Sequence, residues 1–278
     1  MYEGPAKAVI LARGLGTRMQ RSHPGMELEP EAERAARMGL KALIPLNGRP
    51  FLDYVVDSVL RAGLREICLV TAPDAQAMRE HARRIAAASG ARVECAVQQE
   101  PLGTADAVLA AEDFVGDETF VLCNGDNLYP LEALQGLVGL SDRGCWLAAF
   151  DTEELTRQGN VAPERVKSFA VVTAEGGGNN LKEIVEKPPD PERYRRDGRI
   201  WVSMNLYRLT PGIFGACRRV KPSPERGELE LTAAVADLAA SGESAFRVLF
   251  CRGGVLDLTS RADLPAVEAA LKGRDLCF

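Results

Sequence analysis

Short apolar runs of the kind that form buried β-strands alternate with helix-like stretches through the first half of the chain, and this alternation constrains the fold most strongly. The predicted strands occupy residues 7–12, 66–71, 92–97 and 119–123. The stretches with helical spacing occupy residues 51–62, 75–89, 104–114 and 131–140. Such alternation indicates a doubly wound, mainly parallel sheet, so we expect an α/β fold of the Rossmann-like type with helices flanking the sheet.

The second half of the chain is less regular and contains more β-like segments. Its predicted strands occupy residues 145–150, 167–173, 181–187, 201–209 and 244–250, and its predicted helices occupy residues 230–240 and 262–272. The glycine-rich run at 174–180 lies between two of these strands and predicts a hairpin. Because no repeat or low-complexity linker divides the chain, we expect one domain over residues 1–278, with halves at about 1–140 and 141–278.

Composition and charge exclude several classes of protein. The 278 residues have a net charge of −5, whereas general nucleic-acid-binding proteins usually have a basic excess. No apolar run approaches the roughly 20 residues that span a bilayer, and the N-terminal residues lack a signal-peptide pattern.

Seven scattered cysteines without a Cys-x-x-Cys pair predict free thiols in a reducing cytoplasm. His23 and His81 are too few for a histidine-based metal site, and their polar surroundings predict surface positions.

The most informative segment is the glycine-rich run at 11–19, Leu-Ala-Arg-Gly-Leu-Gly-Thr-Arg-Met, which follows the first predicted strand. Its glycines let backbone N–H groups approach anionic oxygens, and Arg18 adds a delocalised charge that suits phosphate. Met19 stands where a dinucleotide fingerprint has its third glycine or alanine, and the Gly-Lys-Ser/Thr end of a Walker loop is absent. The run therefore predicts a phosphate-binding loop, with an ordinary tight turn as the alternative.

This loop resembles the opening motif of the sugar-1-phosphate nucleotidyltransferases, and further segments resemble that family's motifs in the same order. They are Lys-Ala-Leu-Ile-Pro-Leu-Asn-Gly-Arg-Pro from Lys41, Gln-Gln-Glu-Pro-Leu-Gly-Thr-Ala from Gln98, Asn-Gly-Asp-Asn from Asn124, Glu-Lys-Pro from Glu186 and Gly-Glu-Leu-Glu-Leu-Thr from Gly227. Asp257 lies where a late Trp-x-Asp-x-Gly-Thr motif would fall. Each motif is weak alone, but their shared order argues against a chance match.

The resemblance implies an α/β fold of the nucleotide-diphospho-sugar transferase type and an enzyme of nucleotide-sugar biosynthesis. In the implied reaction, an oxygen of a sugar-1-phosphate attacks the α-phosphorus of a nucleoside triphosphate, with dTTP or UTP favoured, and pyrophosphate leaves. The nucleophile is already anionic, so no general base is needed. The implied cofactor is Mg²⁺. The first half of the chain would bind the nucleotide, and the second half would bind the sugar. We expect no nucleic-acid or membrane partner, and homo-oligomerisation stays open.

Individual roles follow from the same resemblance. The residues assigned to catalysis are Arg18, Lys41 and Asp126, and those assigned to Mg²⁺ are Asp126 and Asp257. Those assigned to the nucleotide are Leu11, Ala12, Gly14, Gly16, Thr17, Gln98, Gly103 and Thr104. Those assigned to the sugar phosphate are Ala170, Glu186, Lys187 and Asn205. The competing interpretations are a turn-capping role for Asp126, a loop position for Asp257, and surface charges for the basic residues.

Gln98 is the candidate for reading the nucleobase. Its amide has both a donor and an acceptor, which can pair with the N3–H and O4 edge of uracil or thymine. Gln99 is a competing candidate, since the register of the segment decides which side chain faces the base. Gly103 would let the backbone approach the base, and Thr104 is a candidate N-cap for the helix that follows.

The chain departs from the family's pattern at several positions. Arg13 stands where the family usually has Gly or Ala, and it either crowds the loop or adds a phosphate contact. Phe169 and Ala170 replace a Tyr-Gly pair, and Asn205 replaces a frequent Gly. The segment 20–40 is longer than usual and predicts an extra short helix. The chain ends soon after the fold closes, so we expect no appended acyltransferase domain.

Three alternatives remain open from the sequence. The first is an enzyme of the same class that uses GTP or CTP, or a heptose or cyclitol phosphate. The second is a catalytically silent nucleotide-sugar-binding regulatory subunit, which Arg13 and the irregular Asp257 segment favour. The third, a dinucleotide-dependent oxidoreductase, is disfavoured by the missing third glycine.

Overall fold

The computed structural model describes residues 4–14, 16–21, 28–224, 226–242 and 244–278. The strands in this part of the chain are β1 (Lys7–Leu11), β2 (Pro45–Leu46), β3 (Arg49–Pro50), β4 (Glu66–Thr71), β5 (Arg92–Val97), β6 (Phe120–Asn124), β7 (Asn127–Leu128), β8 (Cys145–Asp151), β9 (Ala170–Ala174), β10 (Leu181–Val185), β11 (Trp201–Leu209), β12 (Phe246–Cys251) and β13 (Leu256–Asp257). The α-helices are α1 (Thr17–Gln20), α2 (Pro30–Arg37), α3 (Phe51–Arg61), α4 (Gln76–Ser89), α5 (Thr104–Leu109), α6 (Glu112–Val115), α7 (Leu131–Val138), α8 (Thr152–Gln158), α9 (Gly212–Arg219), α10 (Leu231–Ser241) and α11 (Leu264–Leu271). Short 3₁₀ turns span Lys41–Leu43, Pro163–Ser168, Pro191–Tyr194 and Arg261–Asp263.

One large mixed sheet joins the two halves of the chain. The first-half strands β6, β1, β4 and β5 lie side by side and are all parallel. β11 continues the sheet antiparallel to β6, and it also pairs antiparallel with β8 and β9. β12 pairs parallel with β8, and β10 pairs antiparallel with β9. The α/β sheet expected from the alternating pattern is confirmed, and the antiparallel pairs come from the irregular second half.

Two hydrophobic cores cover the two faces of the sheet. Alternation along β1 sends Ala8 and Ile10 to one face and Val9 to the other. α3, α4, α7 and α11 contribute buried side chains to the first core, and α5, α9 and α10 contribute to the second. A fully buried Ile or Leu side chain contributes about 1.5–3 kcal/mol, so these faces hold the strand ends rigidly. None of the described helices combines the length and apolar composition that crossing a bilayer requires.

Several local predictions need correction. The predicted helix at 104–114 is two helices, α5 and α6, and Thr104 begins the first one rather than capping it, with Gly103 at the N-cap position. The predicted strand at 167–173 begins later, at Ala170, because the preceding residues form a 3₁₀ turn. The extra helix expected within 20–40 is α2, whereas residues 22–27, including His23, lie outside the described residues.

His81 is buried, so its predicted surface position is wrong. Its ring Nε2 lies 2.6 Å from a carboxylate oxygen of Asp53, which is also buried. Arg84 approaches the other ring nitrogen at 3.1 Å. The polar neighbours in the sequence lie on the exposed side of α4, while every third or fourth residue of that helix packs inward.

Candidate active site

Two adjoining cavities lie at the carboxyl ends of β1 and β6, where parallel sheets bind ligands. The first cavity, of about 400 Å³, is lined by the predicted residues Leu11, Ala12, Gly14, Gly16, Thr17, Arg18, Lys41, Gln98, Gly103, Thr104, Asp126 and Asn205. The second, of about 310 Å³, is lined by the predicted residues Arg18, Thr104, Asp126, Glu186, Lys187, Asn205 and Asp257. Segments far apart in the sequence therefore meet at one edge of the sheet.

The glycine-rich loop connects β1 to α1 and lies along the first cavity. Gly16 has a φ of 62°, a left-handed conformation that favours glycine, and a Cβ there would lie 3.5 Å from the Cα atom of Gly39. The backbone N–H of Gly125 donates to the Leu11 carbonyl at 2.9 Å, which joins the loop to the end of β6. Leu15 lies outside the described residues. The start of the loop is therefore joined to the end of β6, and Gly16 lies close to Gly39.

Lys41 and Asp126 form an ion pair beside this loop. Lys41 begins a 3₁₀ turn, and Asp126 lies in the tight turn between β6 and β7. The Lys41 Nζ donates to a carboxylate oxygen of Asp126, and both side chains are largely buried. A cation and an anion from different segments thus line one cavity.

Asp257 is brought next to Asp126 by a short antiparallel ladder. β13 pairs with β7, which places Asp257 opposite Asn127. The N–H of Leu258 donates to the backbone carbonyl of Asp126 at 2.8 Å. The side chain of Asn160 bonds both the N–H and the carbonyl of Asp257, at 2.7 and 2.8 Å. The backbone segments that carry the two aspartates therefore lie next to each other, although 131 positions separate the residues in the sequence.

The Asp257 carboxylate is buried and hydrogen-bonded. It accepts from Asn127 Nδ2 and from Arg165 Nη2, each at 3.1 Å, and from the Thr259 hydroxyl. Asp257 is only 5% exposed to solvent and lines the second cavity. The three hydrogen bonds fix the orientation of its carboxylate there. A buried carboxylate with such partners is held in one rotamer, as a metal ligand requires.

The donor set in these cavities fits Mg²⁺ bound together with phosphate oxygens. Two carboxylates, from Asp126 and Asp257, line the second cavity. In the part of the chain that the structure describes, no group of three or more His, Cys, Asp and Glu side chains could enclose a metal. Mg²⁺ commonly takes one or two protein carboxylates and completes its shell with water and substrate phosphates. The pair suits that arrangement and does not suit a closed protein cage.

Gln98, at the end of β5, lines the first cavity, whereas Gln99 is exposed and does not. The Gln98 Nε2 donates to the Gly103 carbonyl at 3.0 Å and to a carboxylate oxygen of Asp106 at 2.8 Å. Both amide hydrogens therefore have partners inside the protein. The expectation that this amide both donates to and accepts from a base is corrected, because only its oxygen remains for a ligand.

Gly103 is placed where no other residue fits. It has a φ of 127°, and a Cβ there would lie 2.5 Å from the carbonyl oxygen of Leu229. The closeness comes from backbone hydrogen bonds on both sides: the Leu229 N–H donates to Leu102, and the Ala105 N–H donates to Leu229, at 2.7 and 2.8 Å. The Thr104 hydroxyl accepts from the N–H of Leu231 at 2.9 Å. The segment that follows Gln98 is thus joined to the Gly-Glu-Leu-Glu-Leu-Thr segment of the second half.

The second-half residues gather around Glu186 and Lys187, just after β10. The Lys187 Nζ pairs with Glu186 and lies 3.9 Å from a carboxylate oxygen of Glu230. The Thr232 hydroxyl donates to Glu186 at 3.1 Å. Burial and, next, the negative charge of Glu186 raise the pKa of Glu230. This end of the second cavity therefore offers both a cation and carboxylates.

Asn205 projects from an irregular part of β11. The pairing of β11 with β8 shifts between Ser203 and Tyr207, and Asn205 has a φ of 57°. The buried Tyr129 hydroxyl donates to the Met204 carbonyl at 2.7 Å and accepts from the Asn124 N–H at 3.2 Å. Burial raises the pKa of Tyr129 well above its usual value, so the phenol stays a neutral donor that fastens this bulge to the end of β6.

Ala170 is the predicted site residue that the structure does not place on either cavity. It lies buried at the start of β9, in the core on the other face of the sheet. The preceding residue, Phe169, lines the second cavity instead, because successive strand residues point to opposite faces.

Sequence reasoning missed several polar residues of these cavities. Asn127 lies within the Asn-Gly-Asp-Asn motif, and Thr259 lies two positions after Asp257, so both could have been found by examining the neighbours of each motif. Asn160 and Arg165 contact Asp257 from more than 90 positions away and belong to no motif. Only the three-dimensional fold identifies them.

Comparison with known proteins adds a family assignment to this geometry. A model of the family described as nucleotidyl transferase matches residues 35–258. The low-salt glycan biosynthesis nucleotidyltransferase Agl11 of Haloferax volcanii is 28% identical over 236 residues, which cover 85% of this chain and 58% of that protein. The UTP–glucose-1-phosphate uridylyltransferase YngB of Bacillus subtilis is 28% identical over 257 residues, which cover 84% of this chain and 78% of that one.

Solved structures agree on the fold. A UDP-glucose pyrophosphorylase crystallised with UDP-glucose superposes with a TM-score of 0.73 at 20% identity, covering 96% of this chain and 98% of that one. The chain spans little more than half the length of some of its curated relatives, 58% for Agl11 and 52% for the bifunctional protein GlmU of Sorangium cellulosum.

Proposed function

Because this chain belongs to the nucleotidyl transferase family, whose model matches residues 35–258, we propose that it transfers a nucleotidyl group from a nucleoside triphosphate to a sugar-1-phosphate. The products are a nucleotide sugar and pyrophosphate. The observation on which the proposal rests most is the convergence of Asp126 and Asp257, through the β7–β13 ladder, beside the glycine-rich loop and Lys41.

Catalysis of this transfer consists of positioning and charge neutralisation. The triphosphate lies along the loop after β1, where backbone N–H groups and Arg18 bind its oxygens. Lys41, held beside Asp126, neutralises the charge that accumulates on the leaving pyrophosphate. An oxygen of the sugar phosphate, already anionic, attacks the α-phosphorus in line with that leaving group.

Asp126 and Asp257 would hold Mg²⁺. When bound, this ion supplies positive charge to the phosphate oxygens. Asn127, Asn160 and Arg165 orient Asp257 through the hydrogen bonds described above.

The second cavity would receive the sugar phosphate. Lys187 lies where it can contact the phosphate, Glu186 where it can accept from a sugar hydroxyl, and Asn205 next to both cavities. We propose one catalytic domain, with the nucleotide bound mainly by residues before about 140 and the sugar by residues after it.

The free, mostly buried thiols of the described cysteines support action in the cytoplasm.

UTP or dTTP is the proposed nucleotide. Gln98 presents an acceptor at the wall of the first cavity, which suits the N3–H of uracil and thymine. Relatives at 28% identity support the same choice: YngB is named a UTP–glucose-1-phosphate uridylyltransferase, and a protein of Neisseria gonorrhoeae is named a glucose-1-phosphate thymidylyltransferase.

The proposal is tested by pyrophosphate release from the purified chain with Mg²⁺, each of UTP, dTTP, GTP and CTP, and a panel of sugar-1-phosphates. We expect turnover with UTP or dTTP. Asp126→Asn should lower kcat by about 100-fold or more while leaving the far-ultraviolet circular dichroism unchanged. Asp117→Asn, at an exposed position outside both cavities, is the matched control.

Absence of pyrophosphate release with every pair of substrates would contradict an enzymatic role. Nucleotide binding without turnover would instead favour a regulatory, nucleotide-sugar-binding subunit. Full activity of Asp126→Asn would exclude Asp126 from the catalytic machinery.

A further inference from the structure

Arg13 lies in the glycine-rich loop, but its side chain contacts a different segment, the one that contains Gln98. Its Nε donates to the Gln98 backbone carbonyl at 2.7 Å, and its Nη2 donates to the Gln99 carbonyl at 3.1 Å. These are charge-assisted hydrogen bonds to two consecutive carbonyls, made by two separate nitrogens that the planar guanidinium holds in a fixed geometry. The end of β1 is thereby fastened to the end of β5.

The third guanidinium nitrogen of Arg13 differs from the other two. Its Nη1 is buried and has no hydrogen-bond partner among the described residues. Arg13 also lines the first cavity, but two of its three guanidinium nitrogens bind the carbonyls that follow β5. These two contacts argue for a positioning role.

Asp106, on the first turn of α5, holds the other end of Gln98. Its carboxylate and the Gly103 carbonyl accept the two hydrogens of the Gln98 amide nitrogen. A rotated amide would place Oε1 against two acceptors, so the orientation is unambiguous. No described residue donates a hydrogen bond to that Oε1. Gln98 is held by its backbone and by its amide nitrogen, and only its oxygen is left for a ligand.

We propose that Arg13 and Asp106 are positioning residues that make Gln98 an acceptor-only reader of the nucleobase. Uracil and thymine present an N3–H donor to that oxygen, whereas cytosine presents the lone pair of its N3 and is rejected. The inference rests on the proposed nucleotide-binding function and adds to it two residues and a chemical rule for base choice. It also implies that a backbone group, not Gln98, donates to the base carbonyls.

The test measures binding of UTP and CTP to the full chain with Mg²⁺ and without sugar phosphate, by calorimetry. Wild type should prefer UTP. Asp106→Ala should reduce the UTP-to-CTP preference about tenfold by releasing the amide, and Asp106→Asn should keep much of it, since an acceptor oxygen remains. Arg13→Ala should reduce the preference similarly, and Arg13→Lys should restore it only in part, because a single ammonium nitrogen replaces two separately placed donors. Arg92→Ala, an exposed arginine on β5 that lines neither cavity, is the matched control.

The outcomes separate this inference from the proposed function. If wild type prefers UTP but the Arg13 and Asp106 variants keep that preference, the inference is wrong and the proposed function stands. Equal loss of affinity for UTP and CTP in Arg13→Ala, with recovery in Arg13→Lys, would identify Arg13 as a phosphate ligand and also overturn it. If wild type binds neither nucleotide, both proposals fail.

Discussion

At the scale of single residues, Gly103 has a conformation and surroundings that exclude every side chain. Its φ of 127° lies in a region essentially restricted to glycine, and the Leu229 backbone occupies the space of a Cβ. Both constraints arise from the short backbone ladder that joins this residue's neighbours to Leu229.

We therefore expect Gly103→Ala to lower the free energy of unfolding by about 3 kcal/mol or more, since backbone strain and overpacking add. Gly90→Ala separates the two effects, because Gly90 has a φ of 69° but no atom lies within 4 Å of the position that a Cβ would take there. We expect Gly90→Ala to lower the free energy of unfolding by only about 1 kcal/mol. Urea unfolding measures both, and equal losses would show that the Leu229 backbone can move away.

Single residues also mark the limit of prediction from sequence. Arg13 is visible as an unusual residue in the loop, but its target, the carbonyls after β5, depends on the order of strands in the sheet. The amide of Gln98 is a different case, because its partners Gly103 and Asp106 are five and eight positions away but are reached only through the shape of the turn before α5. Hydrogen bonds of this kind leave no periodic pattern in the sequence.

At the scale of elements, a partly buried ion pair joins α2 to the segments beside the site. Arg261, only 4% exposed, pairs with Glu33 and also donates to the Met19 carbonyl at 3.0 Å, in the short helix after the glycine-rich loop. Hydrogen bonds from Arg261 and Arg37 lower the pKa of Glu33 from 4.5 to about 2. The contact therefore joins α2, α1 and the 3₁₀ turn before α11.

This pair predicts a pH dependence of stability. A carboxyl whose pKa is lowered on folding stabilises the protein above the unfolded value of 4.5, and that contribution is lost as pH falls toward 2. Glu33→Gln should be less stable than wild type at neutral pH and should lose less stability over that acid range. Glu31→Gln, at an exposed position of the same helix, should follow wild type. Parallel pH profiles of wild type and Glu33→Gln in urea unfolding would contradict the assignment.

Elements differ in how far their sequence determines them. The sequence predicts β11 with the observed bounds, 201–209, because aromatic and aliphatic residues predominate between turn-forming residues on both sides. β7 and β13 have two residues each and no recognisable pattern, yet their pairing brings Asp126 and Asp257 together. Ala170 shows a further limit, since the motif resemblance marks the Phe169–Ala170 pair but does not show which of the two side chains faces the cavity.

At the scale of the whole molecule, both halves of the chain contribute residues to the two cavities. β11 pairs with β6, β13 pairs with β7, and Leu229 joins the segment after Gln98. The alternating apolar runs predict the parallel first half of this sheet, but the antiparallel attachment of the second half depends on long-range pairing. Ligands bound in these cavities contact both halves, so binding should stabilise the protein as a unit.

Thermal unfolding tests this coupling and the metal site together. UTP at about 100 times its Kd adds roughly 2.7 kcal/mol of stability, which should raise Tm by several degrees with Mg²⁺ present. Chelating the metal should remove part of that rise, because Asp126 and Asp257 would then repel the phosphates. In Asp257→Asn the rise should depend less on Mg²⁺, since only the Asp126 carboxylate remains to bind it, whereas Asp117→Asn should behave as wild type. A rise that is the same with and without Mg²⁺ in wild type would argue against the metal site.

The backbone contact between Leu102, Ala105 and Leu229 has a practical consequence for protein engineering. A loop graft intended to change base preference would replace residues 98–106 with those of a relative. That stretch is hydrogen-bonded to the backbone at 227–231. A donor loop with a different shape would lose these hydrogen bonds. Transplanting the two stretches as a matched cassette gives such a chimera its best prospect of accepting a new nucleotide.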